Sequence, residues 1–323
     1  MKYQCAGMIV CDLPIYPVPY DIMQIENCLI DTPTITTGGD ALNVARTLRI
    51  LGAPDVSISG LMGKDAFGVF VRNSMTESGI GTENLLISDM LSTSVSFHLI
   101  DKDGRTHSIY HSSVNSVVDS EHYLPGLKEN PDILYFGSAL YFPRMDDGGI
   151  EKLFSAAHQQ GVVTAMDTSL NENHEPGEVC FKRLEPALRQ TDIFIPSLSE
   201  VSFMTGETDP HRIALRFADL GHRVFGTKLG KEGSYLTDFK RAYRISAFTE
   251  FPAIDTVGAG DSFMGSFLYA YGQGWDLEQC ISLASVVSSF NVSALGATGG
   301  VPDIGTALDY LKKHPARITS DLF

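Results

Sequence analysis

Positive charge is scarce in this 323-residue sequence, which carries 24 lysine and arginine residues against 39 aspartate and glutamate residues. The formal net charge is −15 and the pI is near 4.9. Such an acidic surface disfavours nucleic acid and anionic membranes as main partners, because both are themselves negatively charged. No apolar run approaches the roughly 18 residues that a membrane-spanning helix needs. A soluble globular protein with neither partner is therefore expected.

Cysteine is also sparse, and its spacing excludes a disulfide framework. The five cysteines are widely separated and form no C-x-x-C pair, so we expect reduced thiols in a cytoplasmic protein. The amino-terminal stretch MKYQCAGMIVCDLP contains a six-residue apolar run, which is too short for the core of a signal sequence. It predicts a first buried strand over residues 6–11.

Several common catalytic motifs are missing as well. The sequence contains no P-loop (G-x-x-x-x-G-K-[ST]), no G-x-G-x-x-G dinucleotide fingerprint, no H-E-x-x-H zinc motif and no G-x-S-x-G nucleophile elbow. P-loop phosphate binding, dinucleotide-dependent redox chemistry, zinc proteolysis and α/β-hydrolase chemistry are therefore not expected.

What the sequence does contain is a regular alternation of strand-length apolar runs and helix-length segments. This alternation predicts a mostly parallel sheet between layers of helices, that is, a three-layer α/β/α fold. No internal repeat or long linker interrupts it, so we expect one domain over residues 1–323. The predicted strands cover residues 6–11, 55–62, 132–139, 161–167, 192–197 and 222–230. The predicted helices cover residues 40–51, 67–78, 150–160, 209–220, 261–272 and 277–295.

Two segments do not follow this alternation. Residues 93–111 alternate apolar and polar side chains, turn at DKDG and return, which predicts a β-hairpin. Residues 12–37 are rich in proline and poor in helix signals. Together, over about residues 12–37 and 92–113, they predict a small discontinuous β-sheet. It is either a plain surface hairpin or a lid that closes over a cleft and excludes water.

The stretch TTGGDALNVARTLRILGA places two glycines directly before a helix. Gly38 and Gly39 let the backbone approach a ligand closely, and Asp40 is expected to cap the helix that follows. Asn43 lies in the first turn, so its amide is expected to point back toward the glycines. Taken alone, such a helix start is more often a simple cap than a binding site.

A second stretch, DTVGAGDSFMGSFLYAYG, places a lone acid behind three small residues at a helix start. The amides from Gly258 through Asp261, together with the helix dipole, favour an anion there. The small residues Gly258, Ala259 and Gly260 let a phosphate pack against the backbone. An aspartate beside a bound phosphoryl group can take the proton from an attacking hydroxyl. Asp261 is therefore either a helix cap or a catalytic base, and the resemblance described next favours the base.

These two stretches resemble, in order, the two signatures of the ribokinase-like (PfkB) carbohydrate kinases. Four further segments resemble that family along the whole chain: GMIVCD at 7–12, GKDAFG at 63–68, KLGKEG at 228–233 and ALGATGGVP at 294–302. The TTGGDALN variant is similar to a group of poorly assigned bacterial sugar kinases. The resemblance implies a ribokinase-like fold with a β-sheet lid, and an ATP-dependent sugar phosphotransferase that uses Mg²⁺.

The resemblance also implies a role for each matching residue. Asp261 would deprotonate the acceptor hydroxyl, and the amides of Gly258, Ala259 and Gly260 would hold the transferred phosphoryl group. The residues implied for the sugar are Asp12, Gly38, Gly39, Asp40 and Asn43. Those implied for the nucleotide are Lys228, Gly230, Gly233, Ser197 and Gly296. Glu200 would organise Mg²⁺ indirectly, through water, and Asp255 would help to ligate a monovalent cation such as K⁺.

One position departs from the family pattern. The family often has N-x-x-E before its nucleotide region, whereas this chain has SLSE, with Ser197 in place of the asparagine and Glu200 retained. A serine hydroxyl can still bond a water or a phosphate oxygen, although it reaches less far. We therefore expect function to survive, while the metal arrangement is left open.

The lack of basic residues near the amino terminus bears on the charge of the acceptor. Between Tyr3 and Ala45 there is no lysine or arginine, and a kinase for sugar phosphates needs cations to pair with the dianion. We therefore favour an uncharged sugar or polyol, with a sugar acid left open because of Arg144. A nucleoside stacked on Tyr16 or Tyr20 and a non-catalytic sugar-sensing protein are the alternatives. The bare edge of the hairpin also predicts a homodimer formed through the lid.

Overall fold

The computed structural model describes residues 1–31, 34–103, 105–170 and 175–323. In these residues the strands are β1 (Lys2–Ala6), β2 (Val10–Ile15), β3 (Thr36–Gly38), β4 (Asp55–Gly63), β5 (Gly81–Ser88), β6 (Val95–Ile100), β7 (Thr106–His111), β8 (Ile133–Ala139), β9 (Val163–Thr168), β10 (Ile193–Phe194), β11 (Val224–Lys228), β12 (Ser234–Thr237), β13 (Arg241–Ile245) and β14 (Ile318–Leu322). The helices are α1 (Asp40–Ile50), α2 (Ala66–Glu77), α3 (Ile150–Gln159), α4 (Gly177–Leu188), α5 (Leu198–Thr205), α6 (Pro210–Phe217), α7 (Ala259–Gly272), α8 (Leu277–Asn291) and α9 (Ile304–Lys313).

Ten of the described strands form a central sheet in the order β14-β13-β12-β11-β10-β9-β8-β1-β4-β5. From β11 to β5 neighbouring strands run parallel. The pairs β11–β12, β12–β13 and β13–β14 are antiparallel. The expected mostly parallel sheet is therefore confirmed, and it carries an antiparallel extension at one edge that the sequence did not predict.

Side chains alternate along each strand, so the sheet buries two separate apolar cores, one on each face. On β8, Ile133 and Tyr135 join one core, while Leu134 and Phe136 join the other. The first core is closed by helices α1, α2, α7, α8 and α9, and the second by α3, α4, α5 and α6. This arrangement gives the three expected layers.

The predicted first strand over residues 6–11 is wrong, because the chain leaves one sheet and enters another there. β1 ends at Ala6 in the central sheet, and β2 begins at Val10 in a second sheet. Gly7 makes the break, with a φ of +127°, and a Cβ there would lie 2.4 Å from the carbonyl oxygen of Gly137. Asp12 consequently lies on the second sheet.

The second sheet, called the small sheet below, has four strands in the order β3-β2-β6-β7. β6 and β7 form the predicted hairpin, with Val95 opposite His111. β2 runs parallel to β6 and antiparallel to β3. Residues 32–33 and Gly104, which fall within the predicted lid segments, lie outside the described residues. Every residue of β7 is exposed, so this sheet presents an open edge strand.

Other differences from the sequence prediction have local causes. The missed elements are β5, β12, β13, β14, α4, α5 and α9. α4 contains Pro186, a residue that normally interrupts a helix and so hides its apolar spacing. β14 is the exposed edge strand of the central sheet and β13 lies next to it, and both strands show weak apolar alternation. The helix predicted over residues 277–295 ends at Asn291, and the strand predicted over 192–197 is only the pair Ile193–Phe194.

The cysteines and the helices bear on two further expectations from the sequence. All five cysteines are free thiols, and four of them are buried. None of the helices in the described part of the chain combines the length and the apolar character needed to cross a membrane.

Candidate active site

The first turns of α1 and α7 lie against each other. α7 packs closely on α1 because Gly265 has no side chain, and a Cβ there would lie 2.8 Å from the Cβ of Thr47. This packing brings Asn43 of α1 to Asp261 of α7, and Asn43 Nδ2 donates a hydrogen bond to Asp261 Oδ2 at 2.7 Å. The Asn43 side chain therefore bonds to a residue of the second glycine motif, whereas the sequence predicted that it would point toward the first.

Asp40 does not cap α1, contrary to expectation. Gly39 is the N-cap residue, with a φ of +90°, and Asp40 is the first residue of the helix. Its carboxylate oxygen Oδ2 instead accepts hydrogen bonds from Ser138 Oγ at 2.6 Å and from Ser169 Oγ at 3.1 Å. The two serines lie at the carboxyl ends of the neighbouring parallel strands β8 and β9. Ligand sites in α/β sheets form at such strand ends.

Asp261 lies in the first turn of α7 and is partly exposed. Burial among protein atoms raises its pKa, and the nearby carboxylate of Asp40 raises it further, to about 7. The hydrogen bond from Asn43 and the ammonium group of Lys228 oppose this rise, because both stabilise the carboxylate. Asp261 can consequently exchange a proton near neutral pH, as a general base must.

The row of amides that begins α7 is shorter than the sequence indicated. The amide of Ala259 donates to the carbonyl oxygen of Thr256 at 3.3 Å, so a turn already occupies it. The amides of Gly260 and Asp261 follow in the first helical turn, where backbone N–H groups have no partner within the helix. Together with the amide of Gly258, which likewise makes no backbone hydrogen bond among the described residues, these two amides are the available anion donors of the motif.

The structure explains the absence of a side chain at the two glycines of this motif in different ways. Gly258 has a left-handed φ of +73°, and a Cβ there would lie 2.0 Å from the carbonyl oxygen of Ala297. Backbone packing therefore requires glycine at Gly258, whatever binds nearby. Gly260 is helical, and its Cβ would instead lie 3.1 Å from Nζ of Lys228. Only Gly260 borders the charged groups of the site.

A buried ion pair lies beside Gly260. Nζ of Lys228, at the end of β11, donates to Oδ2 of Asp167, near the end of β9, and their side chains are only 14% and 4% exposed. Burial lowers the pKa of Lys228, but the carboxylates of Asp167 and Glu200 more than offset this and hold its pKa above the usual value. The site therefore contains a permanent cation.

Ser197 and Glu200 form a capping box at the start of α5. The amide of Ser197 donates to Glu200 Oε2 at 2.7 Å, and the amide of Glu200 donates to Ser197 Oγ at 3.4 Å. Thr168 Oγ1 also donates to Glu200 Oε2, at 3.1 Å. Ser197 thus has a local structural role, and Glu200 is fixed through Oε2, so that none of these bonds engages Oε1.

These groups line a cleft of about 620 Å³, a volume in the range of small-molecule and cofactor sites. Four carboxylates and two ammonium groups form its charged lining: Asp40, Asp167, Glu200, Asp261, Lys228 and Lys231. The excess of negative charge disfavours a free polyphosphate, which would bind here only together with a cation.

One wall of the cleft is apolar and lies near two glycines that the resemblance assigned to the nucleotide. Phe248, Phe251 and Val292 contribute side chains to it. Gly230 and Gly233 line the cleft nearby. Gly233 has a φ of +98°, and a Cβ there would lie 1.9 Å from a backbone carbonyl oxygen. A flat aromatic ring is the kind of group that such a wall accommodates.

Asp255 ties the loop before α7 to the loop after α8. Its Oδ1 accepts a hydrogen bond from the amide of Val257 at 3.0 Å, and its Oδ2 accepts one from the amide of Gly296 at 2.9 Å. Asp255 and Gly296 do not line the cleft, but they fix the loop that leads into Gly258.

Asp12 and Gly38 lie together on the small sheet. A Cβ on Gly38 would lie 1.9 Å from Asp12 Oδ2, so the glycine makes room for this carboxylate. Asp12 Oδ1 lies 3.4 Å from Nε2 of His98, whose Nδ1 is 2.9 Å from Ser108 Oγ. The hydrogen bond with Asp12 raises the pKa of His98. Of the predicted sugar residues, Asp40 lines the cleft, while Asp12, Gly38, Gly39 and Asn43 lie outside its lining.

Sequence reasoning missed several residues of the site, including Asp167, Ser138, Ser169, His98 and Phe248. Asp167 carried a usable signal, because it ends the predicted strand GVVTAMD, at the edge of the sheet where ligand sites form. The two serines carried none, since a single serine after a strand is common and only the packing of α1 brings them to Asp40.

Comparison with known proteins identifies the family. Residues 11–304 match the profile of the pfkB family carbohydrate kinases. The chain belongs to this family.

Two relatives show how broad the family is. The chain is 25% identical over 304 residues to the ATP-dependent 6-phosphofructokinase of Thermoanaerobacterium thermosaccharolyticum, covering 89% of this chain and 92% of the relative. It is 27% identical over 275 residues to the nucleoside kinase of Methanothermobacter thermautotrophicus, covering 84% and 83%. Both relatives therefore match this chain over most of their length, although they are named for different acceptors.

A solved structure confirms the fold. A ribokinase II from E. coli, in complex with ATP and Mg²⁺, superposes with a TM-score of 0.84 at 18% identity, covering 97% of this chain and 99% of that one. The chain has a ribokinase-like fold, as the two glycine motifs implied.

Proposed function

We propose that this pfkB-family protein is an ATP-dependent kinase that transfers the γ-phosphoryl group to a hydroxyl of a small, uncharged sugar or polyol. The observation that carries the proposal is the setting of Asp261, a carboxylate with a pKa of about 7 among first-turn amides and beside Lys228. A base, an anion site and a cation in one cleft are what phosphoryl transfer needs.

In this proposal Asp261 is the general base. The acceptor oxygen forms a bond to the γ-phosphorus, its proton moves to the carboxylate of Asp261, and the bond from phosphorus to the β–γ bridging oxygen breaks. ADP leaves with the electron pair of that bond. The amides of Gly260 and Asp261 stabilise the charge on the transferred group. Gly258 and Ala259 contribute by shaping the turn that presents these amides.

Lys228 is proposed to contact the nucleotide phosphates, with Asp167 holding its ammonium group in place. Ser197 lies beside Lys228 through a parallel backbone bridge, so it is assigned to the same phosphate region. Gly230, Gly233 and Gly296 are assigned to the turns around the nucleotide. The apolar wall that includes Phe248 and Phe251 is proposed to receive the adenine ring.

The donor set of the cleft fits Mg²⁺. Among the described residues, no group of three or more His, Cys, Asp or Glu side chains could hold a metal alone. Mg²⁺ usually binds through one or two carboxylates, waters and substrate phosphates, and does not need such a group. When bound, it supplies positive charge that neutralises the phosphates. We assign its protein contact to Glu200, through water.

A monovalent cation such as K⁺ is proposed at Asp255. Each oxygen of this carboxylate accepts one backbone amide, and a carboxylate oxygen has room for a second partner. A cation there would stiffen the loop that leads into Gly258.

The acceptor is assigned to the side of Asp261 where the first glycine motif lies. The residues proposed to contact it are Asp12, Gly38, Gly39, Asp40 and Asn43. Asp40 is the best placed of these, because its carboxylate lines the cleft and is oriented by two serine hydroxyls. Carboxylates suit sugar hydroxyls, which donate hydrogen bonds to them.

Three basic side chains that could pair with an acidic acceptor already face carboxylates, which favours an uncharged acceptor. His98 faces Asp12 at 3.4 Å. Arg105 binds two carboxylates of its own turn. Arg144, the residue that left a sugar acid open, is 59% exposed and lies 3.9 Å from Asp119. A phosphorylated or acidic acceptor would have to displace such a partner.

We also propose that the small sheet is the lid, belonging with the rest of residues 1–323 to a single kinase domain, and that it forms a homodimer contact. Its edge strand β7 is fully exposed and carries Ile109 and Tyr110 at 58% and 54% exposure. An unpaired edge with apolar side chains favours pairing with a second copy. A dimeric mass by light scattering is expected.

The test of the proposed function is a screen for acceptor-dependent ATP consumption with Mg²⁺. The panel contains hexoses, pentoses, polyols, sugar acids, sugar phosphates and nucleosides. Activity confined to uncharged sugars or polyols is expected. Activity only with nucleosides, sugar acids or sugar phosphates would overturn the acceptor class but keep the kinase, and no activity on any acceptor would favour the sugar-sensing alternative.

A further inference from the structure

The carboxyl end of the central strand β8 has an unusual backbone. Ser138 and Leu140 have positive φ values of 61° and 80°, although neither is a glycine. Such conformations are uncommon for residues with a side chain and persist only where the surroundings hold them in place. Both residues are buried, so the strain lies inside the molecule. Something beyond the local sequence must hold this turn.

Asp146 provides that hold. It is 3% exposed, and its Oδ1 accepts a hydrogen bond from the amide of Leu140 at 2.8 Å while its Oδ2 accepts one from the amide of Phe142 at 3.1 Å. The amide of Asp146 donates back to the carbonyl oxygen of Phe142 at 2.8 Å. Three hydrogen bonds from one residue therefore fix the turn that follows β8.

The turn held by Asp146 also carries the donors to Asp40. Ser138 Oγ donates to Asp40 Oδ2 at 2.6 Å, and Ser169 is joined to the same turn because its amide donates to the carbonyl oxygen of Ala139 at 3.0 Å. Ser169 Oγ donates to Asp40 Oδ2 as well. Both hydroxyls that orient Asp40 consequently depend on the shape of this turn.

We propose that Asp146 is a positioning residue for the acceptor site, which orients Asp40 through the strained turn and Ser138. The inference rests on the proposed function in one respect, namely that Asp40 contacts the acceptor. Asp146 lines no part of the cleft. The charged and titratable groups with an electrostatic effect on it or from it are Arg183, Tyr123 and Cys180.

The test compares Asp146→Asn with Asp147→Asn. Asparagine has nearly the shape of aspartate, but its NH₂ group cannot accept the second backbone amide and would face it as a donor. Asp147 is the matched control, since it is the next residue, loses the same charge and is exposed. Ser138→Ala and the double variant Asp146→Asn with Ser138→Ala complete the set.

Two readouts are taken on every variant. Crystal structures report the distance from Ser138 Oγ to Asp40 Oδ2 and need no acceptor. Kinetics with Mg²⁺, ATP and D-ribose or D-fructose, whichever the wild type phosphorylates, give KM for the sugar, KM for ATP and kcat. If neither sugar is used, the crystal structures alone decide the inference, and the acceptor screen separately decides the proposed function.

We expect Asp146→Asn to lengthen the distance from Ser138 to Asp40 beyond 3.5 Å, the limit of a hydrogen bond, while the bond from Asn43 to Asp261 persists. The KM for the sugar should rise about 10-fold, with KM for ATP changed less than about 2-fold. Asp147→Asn should match the wild type. In the Ser138→Ala background, the substitution at Asp146 should add little, because both act on one path.

Three outcomes would overturn the inference. One is an unchanged position of Asp40 in the Asp146→Asn crystal structure. Another is an equal loss for both substrates, which would indicate general damage. The third is full additivity with Ser138→Ala, which would mean that Asp146 does not act through this serine.

Discussion

The two glycine motifs place the same pair of residue types at two helix starts, yet they build different environments. Asp40, behind Gly39, is satisfied by two serine hydroxyls on one carboxylate oxygen. Asp261, behind Gly260, has one amide donor, from Asn43. The pKa of Asp261 is raised to about 7, chiefly by burial and next by the charge of Asp40. The charge of Asp40 thus also raises the pKa of Asp261.

A Gly-Asp helix start therefore does not by itself define a catalytic acid or base. What separates the two residues is their surroundings, which come from other parts of the chain: two serine donors at Asp40, and burial beside the charge of Asp40 at Asp261. A buried carboxylate beside another acid suits proton transfer, because both surroundings disfavour its charged form. Substitutions at three places should separate the roles of the two aspartates, each with an effect of a different size.

The largest effect is expected for Asp261→Asn. The amide oxygen of asparagine can still accept the hydrogen bond from Asn43, so the local geometry should survive while the proton acceptor is lost. Phosphoryl transfer should fall by about 10²–10⁴-fold, the usual contribution of general base catalysis. The measurement is kcat with the acceptor that the screen identifies. Undiminished turnover would remove Asp261 from its assigned role, and thermal unfolding checks that the variant is folded.

Much of this architecture was predictable from the sequence, and the reasons are physical. The parallel sheet follows from apolar runs of strand length, and the start of α7 follows from small residues before an acid, because both signals are local. The resemblance to the family assigned Asp40, Asn43 and Asp261 to one site, although neither motif alone shows that they meet.

What the sequence could not predict depends on distant contacts. The break at Gly7 is set by the backbone of Gly137, which lies 130 residues further along the chain. The bond from Asn43 to Asp261 joins residues 218 positions apart. The serines that hold Asp40 are likewise far from it in sequence. Such partners become visible only once the helices are packed on the sheet.

A smaller effect should separate the two glycines of the second motif. Gly258→Ala forces a side chain into a left-handed conformation and against the carbonyl oxygen of Ala297, so a loss of stability of about 1–3 kcal/mol or more is expected. Gly260→Ala should leave stability unchanged or slightly higher, because alanine favours a helix. Its Cβ would press on Lys228, so activity should fall instead. Thermal unfolding and kcat measure the two effects.

Gly274 offers the matched control for this pair. Its φ of +77° is similar to that of Gly258, but an added Cβ would meet nothing within 4 Å. Gly274→Ala therefore measures backbone strain alone, and the additional loss in Gly258→Ala measures the contact with Ala297. Equal losses at both positions would show that this contact does not constrain the loop.

The smallest and most diagnostic effect concerns the acid limb of the pH–activity profile. Asp261 must lose its proton to act as a base, so kcat/KM should rise with pH through about 7 in the wild type. Asp40→Asn removes a negative charge that raises the pKa of Asp261, so the limb should move to lower pH. Asn43→Ala removes a hydrogen bond that lowers this pKa, so the limb should move to higher pH.

Asp40→Asn is a clean probe because both serines donate to the same carboxylate oxygen, and the amide oxygen of asparagine can keep those bonds. Asp309→Asn on α9, 68% exposed, is the control for an unspecific change of charge and should not move the limb. Shifts of opposite sign for Asp40→Asn and Asn43→Ala would be difficult to produce by general damage, which lowers activity without a consistent direction in pH. If both variants shift the limb in the same direction, or if neither does, the titrating group is not Asp261 and the contrast between the two aspartates does not hold.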